Sequence, residues 1–195
     1  MDGFYTAIRQ LPPFLSVTLE KVGEETAATI TELRLRSGRP VTVSTGMHNS
    51  FVCANGILSD VCTGTVLCTT HAELQECFLS LCRYSVPRYE RMLANGFIPL
   101  GYGHRAGICG SALWQRDGSF SIQNITSVNI RVARVQPLTD GEQLSRLLRT
   151  QKSGILVSGE PGSGKTTILR QIMQVLSMQG VRTAVVDERL ELAPV

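Results

Sequence analysis

Long apolar runs are missing from this 195-residue chain: no stretch approaches the ~20 residues that a membrane-spanning helix needs. A strong excess of one charge is missing too. Nineteen Lys and Arg against 16 Asp and Glu leave a net charge of +3, too mild to establish the basic face of a dedicated nucleic-acid binder. Aromatics make up only 6% of the residues, so few rings stand among the scattered basic residues to stack on bases. The start, Met1-Asp2-Gly3-Phe4, lacks the charged and apolar regions of a signal peptide, and a cytoplasmic location is the expectation. Cysteine is present at positions 53, 62, 68, 77, 82 and 109, yet no C-x-x-C occurs and no zinc spacing forms with His48, His71 or His104. These thiols are expected to be reduced, partly buried small hydrophobes.

What the chain does have is Gly159-Glu160-Pro161-Gly162-Ser163-Gly164-Lys165-Thr166, followed by Thr167. This is the G-x-x-x-x-G-K-[ST] phosphate-binding pattern. Its glycines let backbone N–H groups curl around a di- or triphosphate, the lysine reaches the β and γ oxygens, and the Thr166 hydroxyl takes a Mg²⁺ position. Ile155-Leu156-Val157 before it reads as a short buried strand, and Ile168, Leu169, Ile172 and Leu176 after it recur at helical spacing. A helix N-terminus then points at the phosphates, where free N–H groups and the helix dipole favour negative charge. A merely structural glycine turn is the bland alternative, and the flanking strand and helix weigh against it.

Ahead of the loop the pattern is mixed. Residues 4–10 and 14–21 read as helical pieces broken at Pro12-Pro13, and 30–36 as a strand with Leu33 and Leu35 on one face and Arg34 and Arg36 on the other. Strands follow at 41–44 and 50–53, and Asn55-Gly56 signals a hairpin turn. Thr70-His71-Ala72-Glu73 is a capping box opening a helix to about Arg83, with Leu74, Cys77, Phe78, Leu81 and Cys82 on its buried stripe. A short helix at 87–94 precedes strands at 97–100, 106–115, 119–123 and 127–135. A two-residue turn at Asp117-Gly118 would pair Leu113 with Ile122 and Gln115 with Phe120. Val128, Ile130 and Val132 should face inward and Arg131 outward. Residues 136–141 break the pattern, which suggests an α+β domain over 1–137 and a nucleotide module over 138–195, with a short helix at 142–150.

After the loop helix, 181–186 returns as a strand and runs into Asp187-Glu188-Arg189. In a right-handed βαβ unit the two strands run parallel, so Asp187 and Glu188 should stand at the same rim as Lys165 and Thr166. A carboxylate there can polarise water or hold Mg²⁺ through water. Glu188 is the candidate for positioning water and Asp187 for the metal; an ordinary solvated acidic loop is the alternative.

The run from Gly159 to Arg170, with Val185-Val186-Asp187-Glu188-Arg189-Leu190-Glu191-Leu192-Ala193, resembles the stage III sporulation protein AA family. So do Glu32–Pro40, Gly103–Gly110 and Asn129–Arg134, and the likeness spans nearly the whole chain. That family is similar to the ATPases of type II and type IV secretion systems. The resemblance implies an α/β chain: an amino-terminal α+β domain followed by a phosphate-loop, RecA-like domain with a parallel sheet. It implies Mg²⁺-dependent ATP hydrolysis by a homo-oligomeric, hexameric ring. Such a ring would work with other stage III channel proteins at the inner membrane face of the mother cell, on a channel to the forespore. It also carries Arg105 and Arg131 over as candidates for γ-phosphate sensing, with Arg34 and Arg36 behind them; surface arginines in weak ion pairs are the plain alternative. The family continues beyond the point where this chain stops, so the sequence reads as a truncated form expected to hydrolyse ATP weakly. Two further readings stay open: a nucleic-acid-binding RecA-like ATPase, for which the scattered basic residues argue poorly, and a nucleotide-binding interaction module without turnover.

Overall fold

A computed structural model describes residues 3–46, 48–62, 64–114, 116, 118, 120–134, 141–150, 154–160, 163–187 and 192. The chain divides into two compact units, 1–134 and 135–195.

The first unit begins with α1 (Gly3–Ile8), α2 (Pro13–Leu19) and α3 (Glu24–Ala27). Pro13 starts α2 where its missing N–H costs nothing. The following strands are β1 (Glu32–Arg36), β2 (Arg39–Pro40), β3 (Thr42–Thr45), β4 (His48–Val52), β5 (Leu58–Ser59) and β6 (Cys68–Thr69). Then come α4 (His71–Leu81), a 3₁₀ turn at Val86–Tyr89, α5 (Glu90–Ala94), β7 (Phe97–Pro99), β8 (Arg105–Trp114) and β9 (Phe120–Arg131). Seven strands form one sheet in the order β5-β4-β3-β1-β9-β8-β7, every neighbouring pair antiparallel, while β2 and β6 pair separately.

Alternation decides the two faces of the large sheet. Leu33, Leu35, Val43, Ile98, Ala106, Ile108, Val128 and Ile130 turn to one side and bury against Phe4, Ile8, Leu15, Leu19, Leu74, Phe78 and Leu81 of the helices. Each such side chain contributes about 1.5–3 kcal/mol over leaving it in water. Helix α4 is fixed at its start by both halves of the capping box: the Glu73 N–H donates to the Thr70 hydroxyl at 3.2 Å and the Thr70 N–H to the Glu73 carboxylate at 2.8 Å. Its buried residues are the expected stripe, Cys82 included.

Two expectations need correction. The hairpin joining β8 to β9 is one residue out of the expected register: Trp114 faces Phe120 and Leu113 faces Ser121. The pairing sets the Trp114 and Phe120 rings edge to face with centroids 5.0 Å apart, worth about 0.5–1.5 kcal/mol, and this ring contact favours the observed register.

The larger correction concerns the second sheet. The RecA-like parallel sheet expected after residue 137 is not the arrangement found: among the described residues every sheet is antiparallel and lies in the first unit. Among its described residues the second unit carries α6 (Gly141–Thr150) and α7 (Lys165–Met178), and neither 155–157 nor 181–186 joins a ladder. Their apolar composition misleads because a parallel strand needs neighbours on both edges and cover on both faces. Here Leu156 is 91% and Val186 88% exposed. Among the described residues no helix is long and apolar enough to cross a membrane.

Candidate functional site

The glycine-rich loop is built around the first turn of α7. Gly164 is the N-cap residue and sits at φ +88°, ψ +13°, a left-handed conformation that costs a residue with a Cβ about 1–2 kcal/mol. Its carbonyl accepts the Ile168 N–H at 2.9 Å, so the helix starts immediately after it. A Cβ on Gly159 would come within 2.7 Å of the Ser163 hydroxyl, so the loop folds back on itself at that point. The Lys165 ammonium crosses the loop and donates to the carbonyls of Gly159 at 2.9 Å and Glu160 at 2.7 Å. A lysine held that way lies along the inner side of the loop, next to the start of the helix.

The N-terminus of α7 opens on Gly164, which has no side chain to cap it, and no acidic residue stands in its first turn; α2 starts in the same uncapped way after Pro12. The helix dipole favours an anion at this end. Thr166 and Thr167 occupy that first turn. Lysine, backbone amides and a threonine hydroxyl are the donor set that suits a Mg²⁺-bound polyphosphate.

The acidic candidates stand differently. The Asp187 carboxylate accepts the Leu192 N–H at 2.6 Å. Glu188, Pro161 and Gly162 lie outside the described residues. Among the described residues no parallel strand pair leads into Asp187. Among the described residues no three His, Cys, Asp or Glu side chains gather as a metal cluster.

The four candidate arginines all belong to the first unit, and the sheet register gathers them. Arg105 pairs with Arg131, and Arg131 with Glu32, across β8, β9 and β1. Arg34 and Arg36 lie on the same outward face of β1. Arg34 is committed there: its Nε and Nη2 donate to the Glu32 carboxylate at 2.9 and 2.5 Å, and its Nη1 to Asn49 Oδ1 at 3.2 Å. Asn49 in turn accepts the Ser44 hydroxyl at 2.6 Å. The pair is about a third exposed, so it contributes at most about 1 kcal/mol and serves mainly to orient the guanidinium. Arg105 lies over the Phe97 ring, 4.7 Å from its centroid. Sequence reading missed Asn49 and Ser44, because only the pairing of β3 with β4 brings them to Arg34.

His104, beside Arg105, is buried and structural. Its Nδ1 accepts the Ala133 N–H at 2.9 Å, and burial holds its pKa below the ordinary histidine range. Cys77 and Cys82 are buried on and just after α4. Burial, helped by Glu73 and Glu76, pushes the Cys77 thiol up to about 12, and burial alone pushes Cys82 to about 11, so both stay protonated.

The described chain is thus an antiparallel α+β sheet unit, followed in sequence by a glycine-rich loop that opens a helix. Compared with known families, the chain matches the one described as Sporulation stage III, protein AA over residues 7–195, and it belongs to that family. It is 29% identical over 188 residues to Stage III sporulation protein AA of Bacillus subtilis (strain 168). That alignment covers 94% of this chain and 57% of the relative, so the chain spans little more than half the relative's length.

Proposed function

We propose that the protein binds ATP with Mg²⁺ at residues 159–167 and serves as an ATPase subunit of the stage III sporulation machinery. The observation that carries the reading is the start of α7: a left-handed glycine cap and a lysine laid across the loop onto the Gly159 and Glu160 carbonyls. In this reading Gly159, Glu160, Pro161, Gly162, Ser163 and Gly164 wrap the phosphates with their backbone. Lys165 neutralises the β and γ oxygens, and Thr166 and Asp187 hold the metal, Asp187 through water. Bound Mg²⁺ would supply charge neutralisation between the phosphates. Glu188 positions the attacking water, and Arg105 and Arg131 sense the γ-phosphate. Membership in the family supports work as a homo-oligomeric ring, a hexamer, alongside other stage III channel proteins. The location is cytoplasmic, held at the inner membrane face by those partners.

The test separates binding from turnover. Mg·ATP titrated calorimetrically should bind the protein, and Lys165→Ala should weaken binding by about tenfold or more, roughly 1.4 kcal/mol. Glu188→Gln should keep binding and lose phosphate release. Equal binding by wild type and Lys165→Ala would overturn the reading.

A further inference from the structure

The face of the large sheet turned away from the helices carries residues that are far apart in sequence and aligned in space. One row across the strands is Phe97–Gly107–Asn129–Arg34–Thr42–Phe51. Beside it runs Pro99–Arg105–Arg131–Glu32–Ser44–Asn49, and on the other side Cys109–Ser127–Arg36. Four arginines share these rows with one carboxylate, and that carboxylate is taken by Arg34. Arg36 and Arg131 are exposed. The two phenylalanines stand at the ends of one row that crosses six strands, five spacings apart, a span of about 24 Å at the usual strand spacing. Gly107, with no side chain, leaves the floor open between Phe97 and Asn129. The Asn129 Oδ1 acceptor is screened from water and has no hydrogen-bond partner.

We propose that this sheet face binds a single strand of nucleic acid, RNA or DNA, with Phe51 and the Arg105 guanidinium backed by the Phe97 ring as stacking platforms. Arg105 lies over Phe97, so a base at that end stacks on the guanidinium. Arg131 and Arg36 meet backbone phosphates. Asn129 Oδ1 accepts an exocyclic amino group of a base. Charge alone would also suit an acidic peptide; the two stacking platforms and the unpaired acceptor favour bases. The basic residues are scattered only along the sequence, and the antiparallel register brings them to one surface. The proposal goes beyond ATP handling and needs none of residues 159–167. Arg105 and Arg131 would meet the same phosphate chemistry repeated along a strand.

A short fluorescein-labelled oligouridylate and the matching oligothymidylate, titrated with the full chain and followed by anisotropy, test it. Binding at low salt should weaken about tenfold in Phe97→Leu, which keeps apolar volume but removes the ring. Arg131→Gln, an exposed change that leaves the core alone, should lower the slope of log affinity against log salt by about one. Arg182→Gln, which removes an equal charge in the second unit, should bind as wild type does. Absence of binding at low salt would overturn the proposal, as would equal losses in Arg182→Gln and Arg131→Gln. Polyglutamate binding as tightly as the oligonucleotides would give the face to an acidic protein partner instead. Complete displacement by Mg·ATP that persists in Lys165→Ala would give it to a mononucleotide.

Discussion

The helices that begin at His71 and at Lys165 start in opposite ways. Thr70 and Glu73 close the first of them with their own side chains, and the helix then presses Leu74, Phe78 and Leu81 into a shared core. Gly164 opens the second with nothing but backbone, and the strand-like segments that flank it keep Leu156 and Val186 in solvent. The first unit packs its apolar faces into one shared core. The start of α7 instead brings together backbone amides and the Lys165 ammonium, the groups that suit a bound anion.

The comparison breaks first in the two cores. Leu33→Ala removes a fully buried side chain from the central strand and should cost about 2–5 kcal/mol in urea unfolding, whereas Leu156→Ala should stay within about 0.5 kcal/mol. Equal costs would show that the second unit has a core like the first. Thr70→Ala sharpens the contrast of helix starts. It should destabilise the first unit by about 1 kcal/mol in the same titration and leave Mg·ATP affinity unchanged.

The smallest effect is a pH dependence. The buried neutral His104 has its pKa lowered, so the unfolded chain binds more protons there than the folded one. Its share of stability is complete above the unfolded histidine pKa of about 6.5 and declines as pH falls through and below it. Thermal melts should therefore show a fall in melting temperature on acidification that is shallower in His104→Gln. A variant as acid-sensitive as wild type would remove His104 from the account.

Elements that pack on their own neighbours were legible in the sequence. The alternation of Leu33 and Leu35, the capping box at Thr70 and the stripe from Leu74 to Cys82 each state their burial locally, and the structure agrees. Register was less legible: the expected turn pairs Leu113 with Ile122, whereas the structure pairs Leu113 with Ser121 and Trp114 with Phe120, a one-residue slip that brings the two rings together. The parallel sheet misled for a different reason. Val181–Val186 has the composition of a buried strand, but composition cannot say whether neighbours exist to pair with it. The loop from 159 to 167 was legible because its chemistry needs fixed offsets. The gathering of Arg34, Arg36, Arg105 and Arg131 was not, since it exists only once β1, β8 and β9 are side by side.

Backbone amide exchange with and without Mg·ATP is the most direct measurement of the central claim. The N–H groups of residues 162–168 should slow markedly on adding nucleotide, the start of α4 at His71–Leu74 should not change, and Lys165→Ala should abolish the effect. Protection spread evenly over both helix starts, or none at the loop, would contradict the assignment of this glycine-rich turn as the phosphate seat.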